Sequence, residues 1–260
     1  MNPPRTTKHP RLSIVIPAFN ERRRLPATLS SIAEYLEVSD VRAEVIVVDD
    51  GSTDGTAKAA KSVPGKGMPP KVIGFEGNRG KGAAVREGLL AARGDFVLFM
   101  DADNSTHVSE VEKLLAVATK ATKRAKEPPI VIGSRYLPGS DIRIKQPWYR
   151  VWISRWGNRL IRYAVLPGVV DTQCGFKLLS RAAARDIALA MTREGFSFDI
   201  EMLTIARHYG YEMVEVPVNW YDTPGTRLRP LRSAFRTLRD LIAIRTNLVR
   251  GRYSPLPSAK

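Results

Sequence analysis

Short apolar runs alternate with helix-like segments along the first half of the chain, and this alternation constrains the fold most. Between the first two runs, apolar residues recur at the spacing of one helix face, as at Leu25, Leu29, Ile32 and Leu36. The apolar runs lie at residues 12–17, 44–49, 71–75 and 96–100. Strands that alternate with helices in this way form a mainly parallel open sheet with helices on both faces. The predicted fold class is therefore α/β.

The run at residues 96–100 leads directly into two carboxylates, Asp101 and Asp103. A continuous apolar run fits a strand that is buried on both faces, so the carboxylates fall where the strand leaves the core. Asp49 stands at the same place after an earlier run. Open α/β sheets bind ligands at the carboxyl ends of their strands, and carboxylate oxygens suit Mg²⁺ or Mn²⁺. The alternative is a solvated aspartate turn with local hydrogen bonds.

A glycine-rich turn at residues 77–82 opens the helix before this strand. It is not a Walker phosphate loop, because Phe75 stands where that motif has glycine and Gly82 stands where it has serine or threonine. A helix amino terminus with Lys81 beside it favours an anion site. A plain connecting turn is the alternative.

The charge of the chain indicates an anionic partner. Its 41 Lys and Arg residues against 26 Asp and Glu residues give a formal net charge of +15. Phosphorylated small molecules, an anionic membrane surface and nucleic acid all fit this excess. A nucleic-acid-binding protein is disfavoured, because the sequence has no helix-turn-helix, zinc or RNA-module signature. Cys174 is the only cysteine, which excludes an internal disulfide and favours a reducing compartment.

Four motifs of the first half occur in the order and spacing of the family 2 glycosyltransferases. They are Val15-Ile-Pro17-Ala-Phe-Asn20-Glu21, Val47-Val-Asp49-Asp50-Gly51-Ser52, Asn78-Arg-Gly-Lys81-Gly and Phe99-Met-Asp101-Ala-Asp103. The chain therefore resembles the nucleotide-sugar-binding half of that family, which implies a GT-A-like fold. The resemblance also implies a donor pocket formed by Pro17, Ala18, Phe19, Glu21, Asp49, Lys81, Asp101 and Ala102. It implies that Asp101 and Asp103 hold the Mg²⁺ or Mn²⁺ ion that bridges the diphosphate.

Motifs of the second half resemble the polyprenyl- and dolichyl-phosphate sugar synthases. They are Asp171-Thr-Gln-Cys-Gly-Phe-Lys177-Leu, Phe198-Asp199-Ile-Glu201-Met, Val216-Pro-Val-Asn-Trp220 and Gly225-Thr-Arg227-Leu. The first two are most similar to the dolichyl-phosphate β-glucosyltransferase group. The resemblance implies an inverting, metal-dependent transfer of a sugar to a polyprenyl or dolichyl phosphate, with UDP-glucose favoured as the donor. GDP-mannose, UDP-N-acetylglucosamine and UDP-glucuronate remain open.

Three residues are candidates for binding the acceptor phosphate. Arg150 and Ser154 lie four residues apart and share one face if this segment is helical, and Arg135 precedes them. An exposed helix arginine is the alternative for Arg150. Arg227, where the family usually has lysine, is expected to close over the donor phosphates. A phosphate is already an anion at neutral pH and needs no base, so Asp199 would position the sugar or a loop. The catalytic candidates are Asp101, Asp103, Asp199 and Arg227.

Two basic amphipathic segments favour attachment to an anionic membrane surface. After Pro230, apolar residues recur at helical spacing beside arginines, and residues 146–162 carry three tryptophans among arginines. Ordinary core contacts with a solvated arginine face are the alternative. We expect a disordered basic start at residues 1–11, a glycosyltransferase domain at 12–227 and a basic helical tail at 228–260. The expected location is peripheral on the cytoplasmic face of a membrane, without a spanning helix, and a homo-oligomer is left open.

A second enzymatic hypothesis keeps the donor and changes the acceptor. Transfer to a soluble hydroxyl group, as on a phosphorylated glycerate or a glycan, requires a carboxylate as general base. Asp199 or Asp171 would then be that base. The tryptophan and arginine stripes would in that case belong to the core or to an oligomer surface.

Overall fold

The computed structural model describes residues 9–63, 69–122, 127–141, 165–221 and 230–253, with the side chains of the last helix described from Arg236 onward. The strands are β1 (Leu12–Ala18), β2 (Ala43–Asp49), β3 (Lys71–Gly74), β4 (Phe96–Met100), β5 (Ile130–Ser134), β6 (Phe176–Ser180) and β7 (Met213–Pro217). The α-helices are α1 (Leu25–Val38), α2 (Thr56–Ser62), α3 (Lys81–Ala91), α4 (Val111–Thr122), α5 (Arg181–Ala190), α6 (Phe198–His208) and α7 (Pro230–Val249).

The seven strands form one mixed sheet in the order β3-β2-β1-β4-β6-β5-β7. Strands β1 to β4 are parallel to one another, and β5 is parallel to β7. The predicted mainly parallel sheet is confirmed. Strand β6 runs antiparallel to both β4 and β5 and was not predicted. Its direction depends on the long connection before it, which the local apolar pattern does not encode.

The core lies on both faces of the sheet, as the continuous apolar runs predict. Along β1, Ile14 and Ile16 belong to one apolar cluster and Val15 belongs to the other, because successive side chains of a strand point to opposite faces. Helices α3, α5 and α6 contribute to the cluster of Val15, and α1 and α4 contribute to the other. Burying one such aliphatic side chain contributes about 1.5–3 kcal/mol.

The strand order places the acidic strand ends at one edge of the sheet. Ala18 pairs with Asp49 between β1 and β2, and Val15 pairs with Phe99 between β1 and β4. Strands β2 and β3 lie on one side of β1 in the sheet, and β4 lies on the other side. A crevice forms where the strand order reverses in this way, and ligands bind there. The prediction that Asp49 and Asp101 share one edge is confirmed.

Helix α7 confirms the helix predicted from Pro230, and it is amphipathic. Leu241 and Ile244 pack into the core, whereas Leu238 and Ile242 are 46% and 63% exposed. Among the described helices, none combines the length and the apolar character that crossing a bilayer requires.

Candidate active site

The backbone around Asp101 is anchored on both sides. Asp101 N–H donates to Gly175 O at 3.1 Å, and Thr28 Oγ1 donates to Ala102 O at 2.7 Å. The Asp101 side chain packs directly against Gly175, since a Cβ atom there would lie 2.0 Å from Asp101 Oδ2. The carboxylate therefore occupies a place that only glycine at this position leaves open.

Asp103 completes the acidic loop after β4. Its Oδ1 accepts a hydrogen bond from Ser105 N–H at 3.0 Å, and its Oδ2 lies 4.0 Å from Arg24 Nη1. Asn104 adopts a positive φ of 55°, a conformation that asparagine tolerates better than most residues. Arg24 also donates to Glu21, with 2.7 Å between Arg24 Nε and Glu21 Oε2. The Arg24 guanidinium thus lies between the acidic loop and the turn after β1.

Positive and negative side chains alternate next to this loop. Lys81 Nζ lies 2.6 Å from Asp101 Oδ1, and the fully buried Lys177 donates to Asp199 Oδ1 at 2.5 Å. Burial works against the charge of Lys81, but Asp101 and Asp199 outweigh it and raise its pKa above the ordinary value. Burial raises the pKa of Asp199, although Lys177 and Lys81 oppose that shift. Lys81 is therefore a cation at neutral pH.

Asp50 shapes the glycine-rich turn. Its carboxylate accepts hydrogen bonds from Arg79 N–H at 2.7 Å, Gly80 N–H at 2.9 Å and Asn78 Nδ2 at 2.8 Å. Burial raises the pKa of Asp50, and the N–H donors of Arg79 and Gly80 oppose the rise. Because Lys81 follows this turn directly, Asp50 fixes where α3 begins.

Two N–H groups at the start of α3 are already satisfied within the protein. Gly82 N–H and Ala83 N–H both donate to Glu194 O, at 2.7 and 3.3 Å. A Cβ atom on Gly82 would lie 2.3 Å from Arg193 O, so the helix packs directly on this backbone. An anion at this helix end would therefore meet the Lys81 side chain and not these two N–H groups.

The residues predicted to line the donor pocket lie at the ends of β1 and β2. Ala18 and Asp49 are buried, whereas Phe19 is 44% exposed just beyond them. Asp49 Oδ1 accepts a hydrogen bond from Ser52 N–H at 3.0 Å. Pro17, also predicted for this pocket, pairs within the β1–β2 ladder. An aromatic ring is thus presented at the surface beside the acidic edge.

Arg135 lies in a strong ion pair with Asp171. Its Nε and Nη2 donate to the two carboxylate oxygens at 2.8 and 2.9 Å, and its own N–H donates to Oδ2 at 3.0 Å. Glu215 holds the neighbouring backbone by accepting from Asp171 N–H at 2.8 Å and Val170 N–H at 2.7 Å. Burial favours the neutral acid, but Arg135 outweighs it and lowers the pKa of Asp171. Of the guanidinium nitrogens, Nη1 is not bound by Asp171.

Other predicted residues lie outside the described part of the chain. They are Arg150, Ser154 and Arg227, together with the tryptophan-bearing segment at residues 146–162. Their roles stay predictions.

Four residues that shape the site had no assigned role in the sequence analysis. Asp50 and Lys177 were visible as charged members of motifs, so their charge was a usable signal. Gly175 also stood within a motif. Thr28 left no signal, because its contact with Ala102 joins residues far apart in the chain.

The residues after β4 fit a divalent ion. Asp101 Oδ1 is buried, and the Lys81 ammonium lies 2.6 Å from it as an ion-pair partner. The described residues contain no group of three or more His, Cys, Asp or Glu side chains arranged to hold a metal. Two carboxylates suffice for Mg²⁺ or Mn²⁺, which commonly take their other ligands from water and substrate phosphates. Asp101 and Asp103 are the residues that would hold the ion.

Gly175→Ala is expected to lower the rate of the catalysed reaction by about 10–100-fold, since a 1 Å displacement of a catalytic group has an effect of that size. The new methyl group would push Asp101 Oδ2 out of place. Gly74→Ala is the control, because a Cβ atom there meets nothing within 4 Å. Initial rates of both purified variants measure the effect, and equal rates would show that the Asp101 position is unimportant.

A mainly parallel sheet with an acidic loop after β4 is the arrangement of one family of transferases, and the chain belongs to that family. Residues 13–188 match the family described as Glycosyl transferase family 2, and the protein is a glycosyltransferase of that family. Dolichyl-phosphate beta-glucosyltransferase of Mus musculus is 36% identical over 249 residues, covering 93% of this chain and 77% of the relative. The enzyme of that name from Saccharomyces cerevisiae is 34% identical over 254 residues, covering 93% of this chain and 76% of the relative.

Solved structures support the GT-A fold. Mannosyl-3-phosphoglycerate synthase from Rubrobacter xylanophilus superposes with a TM-score of 0.67 at 20% identity, covering 96% of this chain and 78% of that one. Glucosyl-3-phosphoglycerate synthase from Mycobacterium tuberculosis, in complex with Mn²⁺ and UDP-glucose, gives 0.62 at 22% identity, covering 96% and 81%. The predicted GT-A-like fold is confirmed.

Proposed function

We propose that this enzyme transfers glucose from UDP-glucose to dolichyl or another polyprenyl phosphate, with inversion, with Mg²⁺ or Mn²⁺, and at a membrane surface. The observation that carries the proposal is the 36% identity with the mouse dolichyl-phosphate beta-glucosyltransferase over 93% of the chain. This match extends beyond the donor half into the part of the chain that would bind the acceptor. An α-linked donor and in-line attack by the phosphate give a β-linked product.

The donor half suits a nucleotide sugar. Phe19 exposes a ring on which a base can stack, and Asp49 stands where an acidic side chain can bind a ribose hydroxyl. Asp101 and Asp103 would hold the ion, which when bound supplies Lewis-acid stabilisation to the leaving diphosphate. Lys81 provides a fixed positive charge beside Asp101 for the same phosphates. The Mycobacterium tuberculosis neighbour, which was crystallised with Mn²⁺ and UDP-glucose, supports this choice of donor and ion.

The acceptor half suits a nucleophile that is already an anion. Asp199 Oδ1 is not free to accept a proton from an acceptor hydroxyl group, because Lys177 Nζ already donates to that oxygen at 2.5 Å. A phosphate monoester carries its negative charge at neutral pH and attacks without a base. Within the described part of the chain, Arg135 is the candidate for binding that phosphate, because its Nη1 is not bound by Asp171. Arg150 and Ser154 are the further candidates predicted from the sequence.

Helix α7 supports association with a membrane surface. Leu238 and Ile242 expose apolar side chains, and Arg236 and Arg239 are exposed on the same helix. Apolar residues flanked by arginines suit a helix that lies in the interface of an anionic bilayer. The cytoplasmic face of a membrane is the location that we propose, with the tail at residues 228–260 as the attached part.

The double variant Leu238→Glu/Ile242→Glu is expected to reduce co-flotation with vesicles that contain anionic lipid by roughly tenfold, because two negative charges replace apolar side chains that the bilayer would bury, and the anionic surface repels them. Leu189→Glu is the matched control, since Leu189 is 40% exposed on α5. Flotation of wild type and both variants with neutral and anionic vesicles measures the difference. Equal flotation of the double variant and the wild type would exclude α7 as the attachment site.

A soluble hydroxyl acceptor is the second candidate. One observation favours it: burial raises the pKa of Asp199, which would make this carboxylate a stronger base. The glucosyl-3-phosphoglycerate synthase from Mycobacterium tuberculosis, which is 22% identical to this chain, was also crystallised with phosphoglyceric acid. In this case Asp199 would accept the proton of the hydroxyl group as the new bond forms.

Asp199→Asn is expected to lower kcat by no more than about tenfold if the acceptor is a phosphate, and by about 10²–10⁴-fold if Asp199 is a general base. The isosteric amide removes the base and keeps the shape of the side chain. Because Lys177 loses its counter-charge, thermal melting of the variant must show that it is folded at the assay temperature. A loss within the larger range would favour the hydroxyl acceptor.

The proposed function is tested by offering labelled nucleotide sugars with dolichyl phosphate, with Mg²⁺, Mn²⁺ or EDTA. We expect label from UDP-glucose to enter the organic phase only when a divalent ion is present. UDP-N-acetylglucosamine, UDP-glucuronate and GDP-mannose test the choice of sugar and base. Label that appears only on water-soluble acceptors such as 3-phosphoglycerate would overturn the lipid acceptor.

A further inference from the structure

Glu201 on α6 is fully buried, and its carboxylate joins separate parts of the chain. Its Oε2 accepts hydrogen bonds from Thr192 N–H at 2.9 Å and Arg193 N–H at 2.7 Å. Its Oε1 accepts from Thr192 Oγ1 at 2.6 Å and Tyr253 OH at 2.8 Å. Charge-assisted hydrogen bonds of this kind are about twice as strong as neutral ones. The backbone at residues 192–193 is therefore firmly held.

This held backbone continues into the contact that seats α3. Glu194 O accepts hydrogen bonds from the first N–H groups of that helix, at Gly82 and Ala83. A Cβ atom at Gly80 would lie 2.3 Å from Glu194 O, so the two backbones touch with no space between them. A shift of residues 192–194 must therefore move the start of α3, where Lys81 contacts Asp101.

The chain at and after α7 supports the same segment. Tyr253 is fully buried, and its hydroxyl lies 3.3 Å from Asn247 Nδ2, which is 3.4 Å from Thr192 Oγ1. Closer to the start of the helix, Asp240 Oδ2 accepts a hydrogen bond from Ser197 Oγ at 2.8 Å. Helix α7 is thus joined to residues 192–197 at two points along its length.

We propose that Glu201 is a positioning residue that acts through residues 192–194 to set the place of Lys81 beside Asp101, with Tyr253 as its partner beyond α7. The inference rests on the proposed function, because it takes Lys81 to serve the donor diphosphate. It goes beyond that function by linking the proposed membrane-facing helix to the donor site through hydrogen bonds.

The test uses Glu201→Gln and Tyr253→Phe in the full chain. Tyr211→Phe is the matched control, because the Tyr211 hydroxyl also donates to a carboxylate, the partly buried Asp186 Oδ2 at 3.3 Å, but in a different part of the fold. The first readout is the labelling rate of Lys81 by an amine reagent, mapped by mass spectrometry with Lys113 as the internal reference. This readout needs neither donor nor acceptor.

The second readout is a double-mutant cycle with Lys81→Met, which measures kcat/KM for UDP-glucose. We expect Tyr253→Phe and Glu201→Gln to lower kcat/KM by about 5–20-fold in the presence of Lys81, the size of one or two lost hydrogen bonds. With Lys81→Met in place they should have little further effect, because residues that act as one unit are not additive. The KM for the lipid phosphate should stay unchanged, and Tyr211→Phe should behave as the wild type.

The outcomes separate this inference from the proposed function. Faster labelling of Lys81 in the two variants, together with a non-additive cycle, supports the inference. Unchanged labelling, or losses that add fully to that of Lys81→Met, would overturn it and show that Glu201 serves stability alone. A wild type that transfers no glucose while Lys81 labelling still responds to the variants would refute the proposed function and leave the positioning of Lys81 supported.

Discussion

Asp101→Asn is expected to lower kcat/KM for UDP-glucose by about 10³-fold, or about 4 kcal/mol of transition-state stabilisation. The amide keeps the shape of the side chain but removes the charge that pairs with Lys81 at 2.6 Å and that would bind the divalent ion. Asp103→Asn should act in the same direction, because Asp103 belongs to the same loop. Initial rates of glucose transfer at saturating dolichyl phosphate measure the loss.

Asp95→Asn is the matched control for this variant. Asp95 directly precedes β4, whereas Asp101 directly follows it, so the two carboxylates lie at opposite ends of one strand. The Asp95 side chain is 65% exposed and lies 3.5 Å from His9. An exposed pair of this kind contributes little, so we expect a change of less than about twofold. Full activity of Asp101→Asn would show that Asp101 has no role in the active site.

Lys177→Met is expected to lower the free energy of unfolding by about 3–5 kcal/mol, because it leaves the carboxylate of Asp199 buried without its partner. Lys177 is fully buried and donates hydrogen bonds to both Asp199 and the backbone carbonyl of Cys174. The double variant Lys177→Met/Asp199→Leu removes both charges and should recover most of the loss. Urea denaturation measured on the wild type and both variants provides the comparison.

The loss in Lys177→Met is expected to depend on pH. Burial already raises the pKa of Asp199 in the folded protein, and the removal of Lys177 takes away an interaction that lowers it. The folded state then binds a proton more readily than the unfolded state, where aspartate titrates near about 3.9. The loss is therefore largest above the raised pKa and shrinks as pH falls toward 4. A destabilisation that is equal at pH 7 and pH 5, or that the double variant does not reduce, would contradict this account of the pair.

The first half of the fold could be predicted from the sequence because its strands are buried on both faces. Burial of this kind requires continuous apolar runs, and the runs ending at Asp49 and Asp101 marked two strand ends that do lie at one edge. The family was also predictable, since four motifs in fixed order carry more information than any single one. The matched region at residues 13–188 confirms it.

Other features depend on contacts between distant residues and could not be predicted. The ion pair of Lys177 with Asp199 joins β6 to α6, and neither residue alone indicates its partner. The antiparallel direction of β6 likewise depends on the path of the chain and not on its own residues. The roles of Arg150, Ser154 and Arg227 are still predictions, as these residues lie outside the described part of the chain.

The most direct measurement is the anomeric configuration of the lipid-linked product. UDP-glucose labelled with ¹³C at the anomeric carbon is incubated with dolichyl phosphate, Mn²⁺ and the enzyme, and the organic phase is examined by NMR. The proposed function predicts a β-linked glucosyl phosphate, formed with Mn²⁺ and absent with EDTA. An α-linked product, or glucose that is found only on a water-soluble acceptor, would contradict it.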